Sequence, residues 1–353
     1  MNRTATSRRG IQSQEEASDP RPLGLGWIVV ILVVVAATVA AAQIMVHRLP
    51  ASSIGTKQKE IAAASPDVLL LGNSLLGEGV DEEELSDLLG LRAFKWTSGG
   101  SASAYWYLAL KNVIAAGEYR PPWAIVFFSD TLLTEPAFRV TGNYRDLIER
   151  IALASEPVLD DLAYGASARK WVRQIEHAWP LYGGRGLLRH YAETIVRRAT
   201  SLLAGTTEDQ LRNAAARAFQ TSRMDPERLG ALQAAADPRG VTSFDEAVRD
   251  SFLPHMIAEM EAAGIRLVFV RMPLRRDGMG QPQPEELRQY VSDLDAYLWA
   301  NGVEMVDLSV DTPLTEEAFA DGSHLDRETG RPIFTRLAAE ALRAALVSPE
   351  GEG

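Results

Sequence analysis

The sequence predicts an α/β fold, a parallel sheet with helices on both faces, carrying a helical insertion and preceded by one transmembrane helix. Three observations predict it: apolar runs that alternate with helix-patterned segments, a central stretch that breaks this alternation, and one long uncharged run near the N-terminus.

The uncharged run is Leu23–Val46, "LGLGWIVVILVVVAATVAAAQIMV", 24 residues from 23 through 46. About 20 apolar residues span a bilayer core. Arg3, Arg8, Arg9 and Arg21 precede it and favour a cytoplasmic N-terminus, while Glu15, Glu16 and Asp19 do little against that bias. Residues 1–22 are polar and read as a cytoplasmic disordered tail, 23–46 as the membrane span, 47–65 as a juxtamembrane stem, and 348–353 as a tail. The expected location is the inner membrane, single-pass, with the remainder periplasmic or otherwise extracytoplasmic. The competing reading is a signal peptide cleaved near Ala42, which would release a soluble secreted protein; the run exceeds the usual signal core.

The α/β domain is assigned to 66–347. Strands are expected at "DVLLLG" (67–72), "LRAFKW" (91–96), "PPWAIVFFSD" (121–130), "IRLVFVRMP" (265–273) and "VEMVDL" (303–308). Helices are expected at "DEEELSDLLG", at 101–117, 250–264 and 284–302, and over most of 326–347. Residues 135–249, rich in Ala, Arg and Glu at helical spacing, form the insertion. Arg169–Arg198 holds seven Arg or Lys against Glu176 and Glu193, with Trp171, Trp179, Tyr182 and Tyr191 interleaved. This suits either an amphipathic helical cap or a surface for sugars, acidic polymers or anionic lipid.

A net charge of −11 argues against a nucleic-acid partner. With no cysteine, disulfide and thiol chemistry are excluded. No metal or organic cofactor is expected.

Ligands of an open parallel sheet bind beyond the carboxyl ends of its strands. Ser74 follows the first strand there, a position suited to a nucleophile, provided a base takes its proton. The alternative is a turn or cap residue in "GNS". Of five histidines, His324 lies in "FADGSHLDRETG", a polar loop after the last strand; Asp321 precedes it by three residues and can fix its tautomer. His47, His177 and His190 lie elsewhere, and His255 reads as structural. A metal pair at Asp321 and His324 lacks further ligands nearby.

"VLLLGNS" and "DGSH" resemble the first and last sequence blocks of the SGNH (GDSL-like) hydrolases. The whole arrangement resembles the membrane-anchored acyltransferase-like SGNH proteins of bacterial polysaccharide export, such as alginate O-acetyltransferases. The resemblance covers roughly 66–130 and 265–346. It implies a flavodoxin-like sheet, Ser74 as nucleophile, and Asp321 and His324 as its relay. It implies an oxyanion hole from the N–H of Ser74 with Gly99 or Gly100 of "TSGGSAS". The third strand departs from the family: "FFSDT" offers Ser129 and Asp130 where the family has an Asn donor, and a carboxylate would repel an oxyanion. Asn73, Asp130 and Arg271 are candidate substrate contacts, with Asn73 also suited to shaping the turn and Arg271 to a solvated strand end.

The function these features imply is serine-dependent acyl transfer, with acetyl as the expected group, or ester hydrolysis on a cell-envelope or exported polysaccharide. The alternative is a non-catalytic polysaccharide-binding or assembly subunit with a degenerate site. The expected partners are the polysaccharide or acylated glycan and, by family analogy, a membrane acyl-donor transporter.

Overall fold

Apolar runs bounded by turns become the strands of one sheet: β1 (Val68–Gly72), β2 (Ala93–Thr97), β3 (Trp123–Phe128), β4 (Arg266–Arg271) and β5 (Glu304–Asp307). The computed structural model describes residues 53–141, 143–165, 243–280, 282–310 and 312–347. The expected membrane span, its cleavage alternative, both tails, the 169–198 basic-aromatic segment, His47, His177 and His190 lie outside the described residues. Among the described residues, no helix is long and apolar enough to cross a membrane.

All strand pairings are parallel, in the order β2-β1-β3-β4-β5. This is the flavodoxin-like order. β1 is buried at every residue, and β3 and β4 at all but their first. Helices cover both sheet faces, so these strands lack a polar alternation. The edge strands β2 and β5 are only partly buried.

The two-residue period divides the side chains between two cores. Leu69, Leu71, Val126, Phe128 and Phe269 pack with Ile61 of α1 (Ile54–Ala64) and with α4 (Ser103–Leu108). Residues from α8 (Leu253–Ala263) and α10 (Glu285–Ala300) join that core. Leu70, Ile125, Phe127, Val268 and Val270 face the other way, onto α2 (Ser74–Gly79), α3 (Glu82–Leu89) and α11 (Gly330–Val347).

Two elements differ from the expectation. The segment read as a stem is helical from Ile54; Ile61 is buried and Ser53 N–H donates to Arg150 O, so this helix belongs to the fold. The stretch after "GNS" is a helix of its own, α2, preceding the acid-started α3.

The described parts of the insertion include α5 (Asn143–Glu149), α6 (Pro157–Tyr164) and α7 (Phe244–Arg249). α4 continues as a π-helical segment, Ala109–Ala115, whose wider turn presents Lys111 and Asn112 together to the fully buried Glu156. Lys111 Nζ lies 2.6 Å from Glu156 Oε2, and Asn112 Nδ2 lies 2.7 Å from Glu156 Oε1. A polar bolt thus joins this part of the insertion to the core.

Candidate active site

Ser74 is positioned by its two neighbours in sequence. Gly72 ends β1 where a Cβ would stand 2.9 Å from Leu76 Cβ, so only glycine lets α2 fold back this tightly. Asn73 caps α2: its Oδ1 accepts the N–H of Leu75 at 2.9 Å, and the residue is 3% exposed. Its side chain therefore shapes the turn. Ser74, half-buried, is the first residue of the helix.

The loop bearing the other two groups is braced on every side. Phe319 and Leu325 form an antiparallel bridge, and Ala320 N–H donates to His324 O at 2.9 Å. Asp326 N–H donates to Ala318 O at 2.8 Å, while Asp326 Oδ1 accepts the amides of Glu328 and Thr329 ahead of α11. From beneath, α9 (Arg275–Gly278) contributes Arg275 N–H to Gly322 O at 3.3 Å.

On this scaffold Asp321 Oδ1 accepts the amides of Ser323 and His324, each at 2.7 Å, which aims Oδ2 at the imidazole. Asp321 Oδ2 and His324 Nδ1 are 2.8 Å apart, and His324 Nε2 and Ser74 Oγ are 2.8 Å apart across 250 residues of chain. A carboxylate only accepts, so Nδ1 carries the proton and Nε2 is left to accept from the serine hydroxyl. Ser323 Oγ lies 3.2 Å from the same Nδ1.

Electrostatics follow from these contacts. Burial pushes the Asp321 carboxyl up, but the His324 side chain and the amides of His324 and Ser323 outweigh it and hold it well below the carboxylate range. His324 is raised above the ordinary 6.5, chiefly by its hydrogen bond to Asp321; burial opposes this, the charges of Asp321 and Glu78 reinforce it, and Arg139 counters it. Both side chains keep about a third of their surface, 30% and 33%, so the site is open to solvent.

The loop after β2 is pinned to Gly72, two residues before Ser74. Ser98 N–H and Ser101 Oγ both donate to Gly72 O, at 3.1 and 3.3 Å. Among the described residues the amides of Gly99 and Gly100 donate to no backbone carbonyl. Thr97 pairs with Gly72 and Val126 with Leu71. Gly99 and Ser129 follow the ends of the two strands that flank β1, β2 ending at Thr97 and β3 at Phe128. Three chain segments thus leave adjacent strands at the same edge of the sheet, carrying Ser74, Gly99 and Gly100, and Ser129.

Asp130 and Arg271 are placed differently from their reading as substrate contacts. Asp130 is left-handed at φ 45°, a conformation aspartate tolerates. Its Oδ1 accepts from Arg276 Nη2 at 2.6 Å and Arg271 Nη2 at 3.3 Å. Arg271 is 1% exposed and also donates to Asp307, Ser309 and Gln283. Neither a solvated strand end nor a free anion anchor, it is the centre of a buried polar network. The charge feared at the oxyanion position is spent on two guanidinium groups. His255 packs edge-on against Tyr107, 6.0 Å between ring centres.

One residue escaped the motif reading. Glu78 sits one helical turn after Ser74 and pairs with Arg327, its Oε1 accepting from Nη2 at 2.8 Å. Arg331 Nε donates to Glu78 O at 3.0 Å. Only a helix assigned at 74–79 would have shown Glu78 on the face of Ser74.

Among the described residues, no cluster of three or more His, Cys, Asp or Glu could hold a metal ion. No protein-family model matches the chain, and no curated protein matches it. Among solved structures, the chain is similar to a Bacteroides fragilis protein provisionally called an acylhydrolase, with 11% identity, a TM-score of 0.38, and 79% of this chain and 87% of that chain covered. It is also similar to a GDSL-like lipase from Bacteroides thetaiotaomicron, with 11% identity, a TM-score of 0.37, and 82% and 98% covered.

Proposed function

We propose that the chain is a serine-dependent acyl-ester hydrolase or acyltransferase of the SGNH type. The observation that carries this reading is the continuous hydrogen-bonded line Ser74–His324–Asp321, with 2.8 Å at both joints.

The chemistry follows from the geometry. Ser74 Oγ attacks the ester carbonyl while its proton passes to His324 Nε2, and Asp321 stabilises the imidazolium. The carbonyl oxygen becomes an oxyanion held by the amides of Ser74 and of Gly99 or Gly100, with Ser129 as a third donor. As the intermediate collapses, the bond to the leaving oxygen breaks and that oxygen takes the proton from Nε2. Water or a sugar hydroxyl then gives its proton to Nε2 and attacks the acyl-serine; the acyl–Oγ bond breaks, Ser74 Oγ takes the proton back from Nε2, and the acyl product is released. No metal or organic cofactor enters these steps.

In this reading the domain works outside the cytoplasmic membrane, tethered by residues 23–46, and removes or transfers acetyl groups on an exported or cell-envelope polysaccharide. The support is the 24-residue uncharged run with its arginine-bearing flank, together with the "VLLLGNS" and "DGSH" resemblance. A membrane acyl-donor transporter is the companion for the transfer direction. The binding-subunit alternative drew its support from Asp130, whose carboxylate faces two arginines instead.

The test is a fluorophosphonate probe on the full chain, with the labelled peptide identified by mass. The expected result is labelling at Ser74 that His324→Ala abolishes. A folded chain that resists the probe refutes the reading.

A further inference from the structure

The "DGSH" loop sets a second hydroxyl against the imidazole. Ser323 Oγ lies 3.2 Å from His324 Nδ1 and 3.3 Å from Asp321 Oδ1. The direction of both contacts follows from counting protons. A hydroxyl has one proton and two lone pairs, and a carboxylate only accepts. Ser323 O–H therefore donates to Asp321 Oδ1, and its oxygen is left to accept from Nδ1–H. That imidazole proton is shared between two acceptors, Asp321 Oδ2 at 2.8 Å and Ser323 Oγ at 3.2 Å.

The loop keeps its shape without this side chain. The amides of Ser323 and His324 hold Asp321 Oδ1 at 2.7 Å, Arg275 N–H holds Gly322 O, and Ala320 N–H holds His324 O. All four bonds use main-chain donors and leave the Ser323 hydroxyl outside the scaffold. The charged groups bearing on the ring are Asp321 and Glu78, which favour its protonated form, and Arg139, which opposes it; Glu78 is itself paired with Arg327. Ser323 adds an uncharged acceptor on the Nδ1 edge. At 3.2 Å it is a weak partner for a neutral ring. A hydrogen bond strengthens when its donor becomes charged, so this contact counts most once Nε2 has taken the serine proton, and an interaction of that kind accelerates the step.

We propose that Ser323 is a positioning residue whose hydroxyl, aimed by Asp321 Oδ1, holds the Nδ1 edge of His324 and tightens as the ring becomes an imidazolium. This deepens the proposed function and rests on it, since the effect on rate belongs to the step in which Ser74 gives its proton to Nε2. Asp321 then fixes the tautomer and balances the charge, while Ser323 keeps the ring from turning away from Ser74.

The test follows the rate at which a fluorophosphonate labels the full chain. In that reaction Ser74 Oγ bonds to phosphorus, fluoride leaves, and the serine proton passes to Nε2. Ser323→Thr and Ser323→Val have nearly the same shape and differ in the hydroxyl. The expected result is that Ser323→Val lowers the maximal labelling rate about five- to ten-fold, leaves the half-saturating probe concentration unchanged, and moves the pH midpoint of labelling to lower pH. Ser323→Thr should keep most of the wild-type rate and the wild-type midpoint. Equal rates in the two variants, or a slow Ser323→Val chain with an unmoved midpoint, overturn the proposal. An unlabelled wild type defeats the serine chemistry instead. The Ser323 contact is then judged by an NMR titration of His324 in the Ser74→Ala chain, where adding Ser323→Val should lower the midpoint and an unmoved midpoint overturns the contact too.

Discussion

Glu78, one helical turn after Ser74, is ion-paired with Arg327, three residues beyond His324. The helix that begins with Ser74 and the loop that carries His324 are thereby joined by a second contact, independent of the Ser74–His324 hydrogen bond. Arg327 holds the Glu78 carboxyl below its usual range, chiefly through that hydrogen bond. The resulting charge helps keep a proton on His324.

Glu78→Gln should therefore move the pH profile. The proposed reaction needs neutral His324, so activity should be lost as pH falls through a midpoint above the ordinary 6.5. Without the Glu78 charge the imidazolium is less favoured, and that midpoint moves to lower pH. The pair is partly exposed, at 59% and 29%, so the stability cost is at most about 1 kcal/mol. A kcat/KM profile from pH 5 to 9 reads the shift; an unmoved midpoint would remove Glu78 from the electrostatics of the site.

Asp321→Asn should lower kcat by about 10³–10⁴. An amide still offers an oxygen to the loop amides, but it no longer secures the proton on Nδ1 or balances the imidazolium. The depressed carboxyl also works on stability. A carboxylate held below its unfolded value stabilises the fold above that unfolded value, and the contribution disappears as pH falls through the folded one. The difference in melting temperature between wild type and variant should accordingly narrow in acid.

Ser129 and Asp130 are adjacent but should respond in different assays. Ser129→Ala removes an oxyanion donor and should cut kcat by up to ~10²–10³, with KM little changed. Asp130→Ala leaves two guanidinium groups short of a partner and should cost about 1–3 kcal/mol of stability, read by denaturant melts. Asp130→Asn keeps a hydrogen-bond acceptor there and should not accelerate the reaction. A large gain in kcat from Asp130→Asn would show that its charge does press on the oxyanion.

Gly330→Ala tests the loop scaffold. A Cβ at Gly330 would lie 2.0 Å from the backbone oxygen of Ala318, so the chain must shift where the catalytic loop meets α11. About 1–3 kcal/mol of destabilisation is expected. A fall in kcat should accompany it, because Ala318 O also anchors Asp326. Melting temperature and kcat measured together distinguish this from a silent change.

The central strands were legible because "VLLLG", "WAIVFF" and "RLVFVR" are too short and too apolar for surface helices. Ser74, Asp321 and His324 could be picked out because each falls beyond a strand's carboxyl end. α2 was hidden by its six residues and its glycines, Gly77 and Gly79, which lower helix propensity. α1 shows little apolar patterning because it buries only Ile61. The pairing of Asp130 with Arg271 and Arg276 joins positions 141 and 146 residues apart, and nothing local in "FFSDT" foretells it.

The separation of Ser74 from His324 has a consequence for biosynthesis. A ribosome delivers Ser74 with the first strand of the sheet and His324 only in the loop ahead of α11. α11 then secures the start of α3 through Thr335 Oγ1, which accepts Asp81 N–H, and α2 through Arg331, which holds Glu78 O. A nascent chain with every strand but not yet "DGSH" carries a serine with no imidazole to receive its proton. The Ser74–His324 hydrogen bond can form only once that loop is made, and a protease that removes the last helix together with the loop would undo it.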